Sequence, residues 1–172
     1  MSTLKVNSIQ NTSGENNLGS ILQVVQSTRS DLISTTSSTY ADVLTAAITP
    51  TDSTNKVLCM FNGQEVTDAG DGNTYSQYLL LRDSTSIFVG NASGSSGNSS
   101  AGRFGRQGNL YSDAVHIMYM DSPNTTSSIT YKVQYRSPRG SSWRVSVGGS
   151  LRDTFSGDTR VPTSFILMEV NA

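Results

Sequence analysis

Apolar residues recur along the chain in short bursts, and most bursts alternate with polar residues at a period of two. That is the spacing of a half-buried strand, whose successive side chains point to opposite faces of a sheet. In Ser128–Arg136 (SITYKVQYR), Ile129, Tyr131, Val133 and Tyr135 alternate against Thr130, Lys132, Gln134 and Arg136. Ser20–Thr28 (SILQVVQST) reads as a strand by its β-branched content. Thr39–Thr49 (TYADVLTAAIT) is mixed in period: Ala46 and Ala47 permit a helix, but its threonines and the following Pro50 favour a strand. Asn55–Asn62, Gln77–Asp83, Ala114–Asp121, Ser142–Val147 and Ser164–Val170 complete the set. Ser84–Thr85 turns the Gln77–Asp83 strand into Ser86–Gly90 as a hairpin, Asn91–Gly102 (NASGSSGNSSAG) is a low-complexity loop, and Pro123–Ser127 is a turn.

About eight to ten short strands between turn residues predict an all-β fold, an antiparallel sandwich or jelly roll. In a two-sheet sandwich each strand needs one apolar and one polar face. Residues 57–61, 114–120 and 165–168 depart from this, being apolar on both faces. Their second faces need a cover, and a single sandwich has no third layer. The expected cover is another copy of the chain, with Leu58, Met60, His116, Met118, Met120, Ile166 and Met168 as candidate interface residues. In the strand Ala114–Asp121, Val115, Ile117 and Tyr119 are assigned inward and His116, Met118 and Met120 outward. Cys59 alternates with Val57 and Phe61 and is expected as a buried core thiol.

Composition agrees with strands. The 172 residues include 29 Ser, 19 Thr, 12 Asn and 15 Gly, with only 15% charged, which leaves little for surface helices. A formal net charge of −1 supplies no basic excess for nucleic acid. The apolar runs are far shorter than the roughly 20 residues of a membrane helix. The opening MSTLKVNSIQ lacks the charged and apolar regions of a secretory signal. One cysteine and one histidine leave no internal disulfide and no Cys/His metal site within a subunit, and no cofactor is expected. Residues 1–19 carry Leu4, Val6 and Ile9 as their regularly placed apolar residues, too few to fold alone. They are expected as an anchoring arm, with 20–172 as the sandwich domain.

The lead MSTLKVNSIQNTSG resembles the N-terminal openings of structural proteins from marine tailed phages, especially those of cyanobacterial hosts. The stretches ILQVVQSTRSD, AAITPTDSTNKVLCMFNGQEV, YLLLRDSTSIFVGN and YMDSPNTTSSITYKVQYRS, with the ending SFILMEVNA, are similar to phage fibre and virion-appendage knobs. The resemblance implies a jelly-roll knob like the tumour-necrosis-factor domains, usually a homotrimer, located in the virion after synthesis in the host cytoplasm. It implies attachment to other virion proteins through residues 1–19. Long fibres carry a repetitive shaft before the knob; this chain has none, which favours a short appendage or a decoration protein.

Candidate chemistry is sparse. His116 on the outward face of its strand would sit at a three-fold axis of a trimer, or be an ordinary packed histidine. Asp68-Ala-Gly-Asp71-Gly-Asn73 resembles part of a calcium loop but lacks the terminal bidentate Glu, so it reads equally as a turn. Gly102–Gly108 (GRFGRQG) sets two arginines beside an aromatic, a combination suited to an anionic or sugar receptor and also to a plain surface loop or interface. Asp71, Asn73, Tyr75, Arg103, Phe104 and Arg106 are therefore candidate receptor-facing loop residues. No Gly-x-Ser-x-Gly elbow occurs and glutamates number three, so no catalytic residue is assigned. The expectation is a non-enzymatic virion knob whose far-end loops face the host, through a surface glycan or protein, or the solvent. The alternatives are a capsid decoration protein that cements the shell and a glycan-active enzyme of the virion.

Overall fold

The computed structural model describes residues 20–68, 74–94, 96–105, 111–140, 143–151 and 158–171. They form eleven strands: β1 (Ile21–Arg29), β2 (Ile33–Thr35), β3 (Ala41–Ile48), β4 (Lys56–Asp68), β5 (Thr74–Arg82), β6 (Thr85–Ile87), β7 (Ala101–Gly105), β8 (Tyr111–Asp121), β9 (Ile129–Arg136), β10 (Arg144–Val147) and β11 (Thr163–Val170). The first sheet runs β1-β11-β4 and continues to β8 on the other side of β4, with β10 and β2 extending the β11 side. The second runs β3-β9-β5, and β6 and β7 share the outer edge of β5. All pairings are antiparallel.

Setting aside the short β2, β6 and β10, eight strands remain, and they pair first with last: β1 with β11, β3 with β9, β4 with β8, β5 with β7. The pairs β11–β4 and β9–β5 then join these hairpins side by side. This is a long hairpin rolled into two sheets, the jelly-roll wrap. It sends Ser20 and Asn171 to one end, where the Asn171 N–H donates to the Ser20 carbonyl at 3.0 Å. The ends of β4 and β7 and the start of β10 lie at the opposite, far end.

Alternation builds the core. Val57, Cys59 and Phe61 of β4, Phe165 and Leu167 of β11, and Val115 and Ile117 of β8 face Ile48, Tyr78, Leu80, Ile129, Tyr131 and Val133 of the second sheet, all buried. Each such large side chain contributes about 1.5–3 kcal/mol through removal from water. Tyr119 packs half-buried against this cluster. A bulge between Asp42 and Leu44 lets both Val43 and Leu44 turn inward.

Buried polar groups tie the sheets together. At the near end the Tyr131 hydroxyl donates to Asp121 at 2.7 Å, and Arg82 closes a salt bridge to the same carboxylate at 3.0 Å. At the far end the Tyr78 hydroxyl donates to Glu65 at 2.8 Å. Burial raises the Glu65 carboxyl above its ordinary value, and the Tyr78 hydrogen bond offsets only part of that. Glu169 receives Gln23, Asn55, and both the N–H and the hydroxyl of Thr51 at 2.6–2.7 Å. Burial opposes ionisation there, but these four donors prevail and hold the carboxyl at about 2.

The strand set is broader than the sequence pattern. The Asn55–Asn62 strand continues through Gly63 to Asp68. The Ser86–Gly90 arm of the hairpin is ordered as strand only over β6. β2 has no counterpart in the alternation, and β7 starts inside the stretch read as a Gly/Ser loop. β6 pairs with Leu80–Arg82 and β7 with Thr74–Tyr78, so the edge ladder along β5 is interrupted at Leu79. Ser100 closes the gap: its N–H donates to the Tyr78 carbonyl, and its hydroxyl accepts from the Leu80 N–H and donates to the Ile87 carbonyl.

Candidate functional site

The three strands with two apolar faces are neighbours. β8, β4 and β11 lie side by side in the first sheet, and register aligns their outward residues in rows. One row runs Met120, Leu58, Met168 and Val24; the next runs Met118, Met60, Ile166 and Gln26. All seven candidate interface residues thus fall on a single outward face. Met118 is 67% exposed, Met120 40% and Val24 56%; Leu58, Met60, Ile166 and Met168 are half-buried by their neighbours. Ile21 and Leu22, also exposed, extend the patch at the near end. Four strands at about 4.8 Å spacing and about five residues of length give a flat area of roughly 300 Å². A patch of that size on one molecule is commonly functional.

No ionisable side chain interrupts these rows. Lys56 borders them at the near end, and His116, paired with Asn62, borders them toward the far end. His116 is exposed, so the packed-histidine reading does not hold within one subunit. Val115, Ile117 and Tyr119 point inward as the alternation requires. Cys59 is fully buried, and burial pushes its thiol far up.

The far end carries a different surface. A groove of about 560 Å³ opens between β5, β7, the segment Ser96–Ser99 and the turn Pro138–Arg139. Its described lining includes Tyr75, Gln77, Ser99, Arg103 and Arg139 and contains no carboxylate. Tyr75 stacks on Trp143 with ring centroids 5.5 Å apart and planes within 4°. The Arg139 guanidinium lies 5.0 Å from the Tyr75 ring centre and 4.8 Å from that of Trp143. Arg136, itself 4.5 Å over Tyr40, donates twice to the Gln77 carbonyl oxygen at 2.8 and 2.6 Å. An arginine only donates, so this contact fixes the Gln77 amide with its NH₂ away from Arg136. That NH₂ points toward Gly97, where an added Cβ would stand 3.0 Å from it.

The receptor-facing residues need correction as loop residues. Tyr75 belongs to β5, and Arg103 and Phe104 belong to β7, where Tyr75 is paired with Phe104 and Ser76 with Arg103. Inward alternation turns Arg103 toward Glu65 at the sandwich edge. Tyr75, on the outward side, lines the groove, and Arg103 contributes to the same lining. Asp71, Asn73 and Arg106, and the arm with Leu4, Val6 and Ile9, lie outside the described residues. Arg139 and Trp143 stand 64 and 68 positions from Tyr75 in sequence, and only the fold brings them to it. Among the described residues no group of three His, Cys, Asp or Glu side chains is placed to hold a metal, and no helix is long and apolar enough to cross a membrane. Compared with known proteins, the chain matches no family model and no curated protein.

Proposed function

We propose that the chain is a non-enzymatic structural protein of a phage virion: a homotrimeric appendage knob held to the particle by residues 1–19, with its far end turned to the host surface. The observation that carries this reading is the uncharged apolar face spanning β8, β4, β11 and β1. The occupant that fits it best is a second copy of the chain, which in a trimer meets this face with a different part of its own surface. A charged partner gains nothing from rows without ionisable groups, and methionines fill an irregular seam between like surfaces well. About 300 Å² of apolar centre with the polar rim around it is the anatomy of a standard interface of about 800 Å² per partner. The groove favours recognition over shell cementing, since aromatic and arginine side chains converge there. Its carboxylate-free described lining lacks the acid pair that glycoside cleavage uses.

Light scattering on the purified chain tests assembly. A mass three times 18.4 kDa at micromolar concentration supports the reading, and a monomer overturns it. A chain starting at Ser20 tests the other occupant: if residues 1–19 were the cover, this truncation would associate while the full chain stayed monomeric. A cryo-electron-microscopy map of the particle whose genome encodes the chain then locates it on tail or capsid.

A further inference from the structure

We infer that the far-end groove binds an acidic saccharide, with the Arg139 guanidinium as the carboxylate-binding fork and the Gln77 amide as a donor to sugar oxygens. This names the ligand class for the surface that the proposed function turns to the host, and it rests on that reading only for its biological setting.

Arg139 carries the inference. Its guanidinium carbon lies 5.0 and 4.8 Å from the Tyr75 and Trp143 ring centres, and among the described residues no carboxylate or carbonyl is hydrogen-bonded to it. A guanidinium keeps its in-plane N–H edges available while its face rests on a ring. These ring contacts hold the guanidinium at the groove before any ligand arrives, which lowers the ordering cost of binding. Gln77 is likewise set in advance, since Arg136 holds its oxygen and leaves its NH₂ toward Gly97, another residue of the groove lining. Ser99 and Tyr75 line the same wall. The ligand that satisfies these groups has a full negative charge and several neutral oxygens spread along a groove.

Other anions fit less well. A phosphate is usually gathered by N–H groups converging on one point, often a helix N-terminus. Here the donors are strung out along the wall, and no α-helix occurs among the described residues. An extended acidic peptide would pair its backbone with a sheet edge, and it is made an arm of the test below.

Calorimetry and fluorescence on the full-length chain decide the matter. Trp143 is the only tryptophan in the sequence, so its emission reports on the Tyr75–Arg139 stack. Trigalacturonate is the probe; maltotriose, sodium sulfate and triglutamate are the comparisons. Trigalacturonate is expected to bind saturably with a Kd at or below about 1 mM and to shift Trp143 emission. The three comparisons are each expected to bind at least about tenfold more weakly, and R139Q is expected to lose about tenfold for trigalacturonate with an unchanged circular-dichroism spectrum. Equal affinity for maltotriose, for sulfate or for triglutamate would overturn the assignment. So would an unchanged affinity in R139Q, or the absence of binding heat at 10 mM trigalacturonate. Light scattering on the same samples keeps the two readings apart: a trimer without sugar binding sinks this inference alone, and a monomer that binds sinks the assembly reading alone.

Discussion

Across the outer face of the first sheet stand Leu58, Met60, Met118, Met120, Ile166 and Met168; across that of the second stand Thr45, Thr130, Lys132, Gln134 and Arg136. The inner faces of the two sheets are alike, with aliphatic and aromatic residues alternating into one core. The outer faces share only the pleat. On the second sheet, polar side chains satisfy one another: Gln134 donates to Asp42 at 2.7 Å and Arg136 grips Gln77. On the first, the outward rows are aliphatic and thioether side chains up to Gln26 at the β1 edge, and offer water little. The core demands alternation inward, while the outward positions are left free to encode something else. One sheet uses them for a solvated surface and the other for a surface that calls for a cover.

The comparison breaks most sharply by mutation of one outer face at a time. Met60→Asp with Met118→Asp would bury unpaired carboxylates in the proposed interface. It is expected to weaken assembly at least a thousandfold, about 4 kcal/mol, with the strand spectrum unchanged. Thr130→Asp with Lys132→Asp on the second sheet is expected to leave the oligomer intact. Light scattering on both variants reads the contrast.

A lesion between the sheets should do the reverse. Asp121→Ala strips the Tyr131 hydroxyl and the Arg82 guanidinium of their shared acceptor inside the sandwich. A loss of about 2–4 kcal/mol in denaturant unfolding is expected, and the folded fraction should keep its oligomeric state.

Acid should act through Glu169, which pins the Thr51–Asn55 turn to the first sheet. Its carboxyl sits at about 2 in the folded chain against 4.5 for the ordinary group. A depressed pKa stabilises the fold above the unfolded value, so the contribution is present above about pH 4.5 and is lost as pH falls toward 2. Parent stability is expected to decline over that window, and Glu169→Gln should flatten the decline in melts taken from pH 5 to 2.5. The smallest effect belongs to the solvated face. Gln134→Ala removes one exposed hydrogen bond to Asp42, and a change within about 0.5 kcal/mol is expected by thermal melting.

Much of the fold is legible in the sequence where one face is wet. Ser128–Arg136 alternates so cleanly that β9 differs from it by one residue. The strands with two apolar faces were legible as an anomaly, and their placement side by side gives that anomaly a geometry. The extension of β4 was hidden because Glu65 and Thr67 turn inward, where a polar residue argues against burial until Tyr78 is seen to hold Glu65. β7 was hidden because its sequence, AGRFG, has two glycines, which strands generally avoid. β2 was hidden by its length of three residues, too short for a period to show. The groove was half-legible: Tyr75 and Arg103 drew notice by type, but the Arg139 stack depends on contacts between distant segments.

Methionine oxidation tests the covered face most directly, because Met118 and Met120 are exposed on the isolated subunit and would be hidden in the assembly. Mild peroxide converts an accessible thioether to the sulfoxide, and peptide mass spectrometry reads each site. At concentrations where the parent is assembled, Met60, Met118, Met120 and Met168 are expected to oxidise at least about tenfold more slowly than in the urea-unfolded chain. In an assembly-breaking Ile166→Asp variant that remains folded, Met118 should oxidise at nearly the unfolded rate. Oxidation of Met118 in the parent at the unfolded rate, at any concentration, would show that the outer face of the first sheet is open to water and that no second copy covers it.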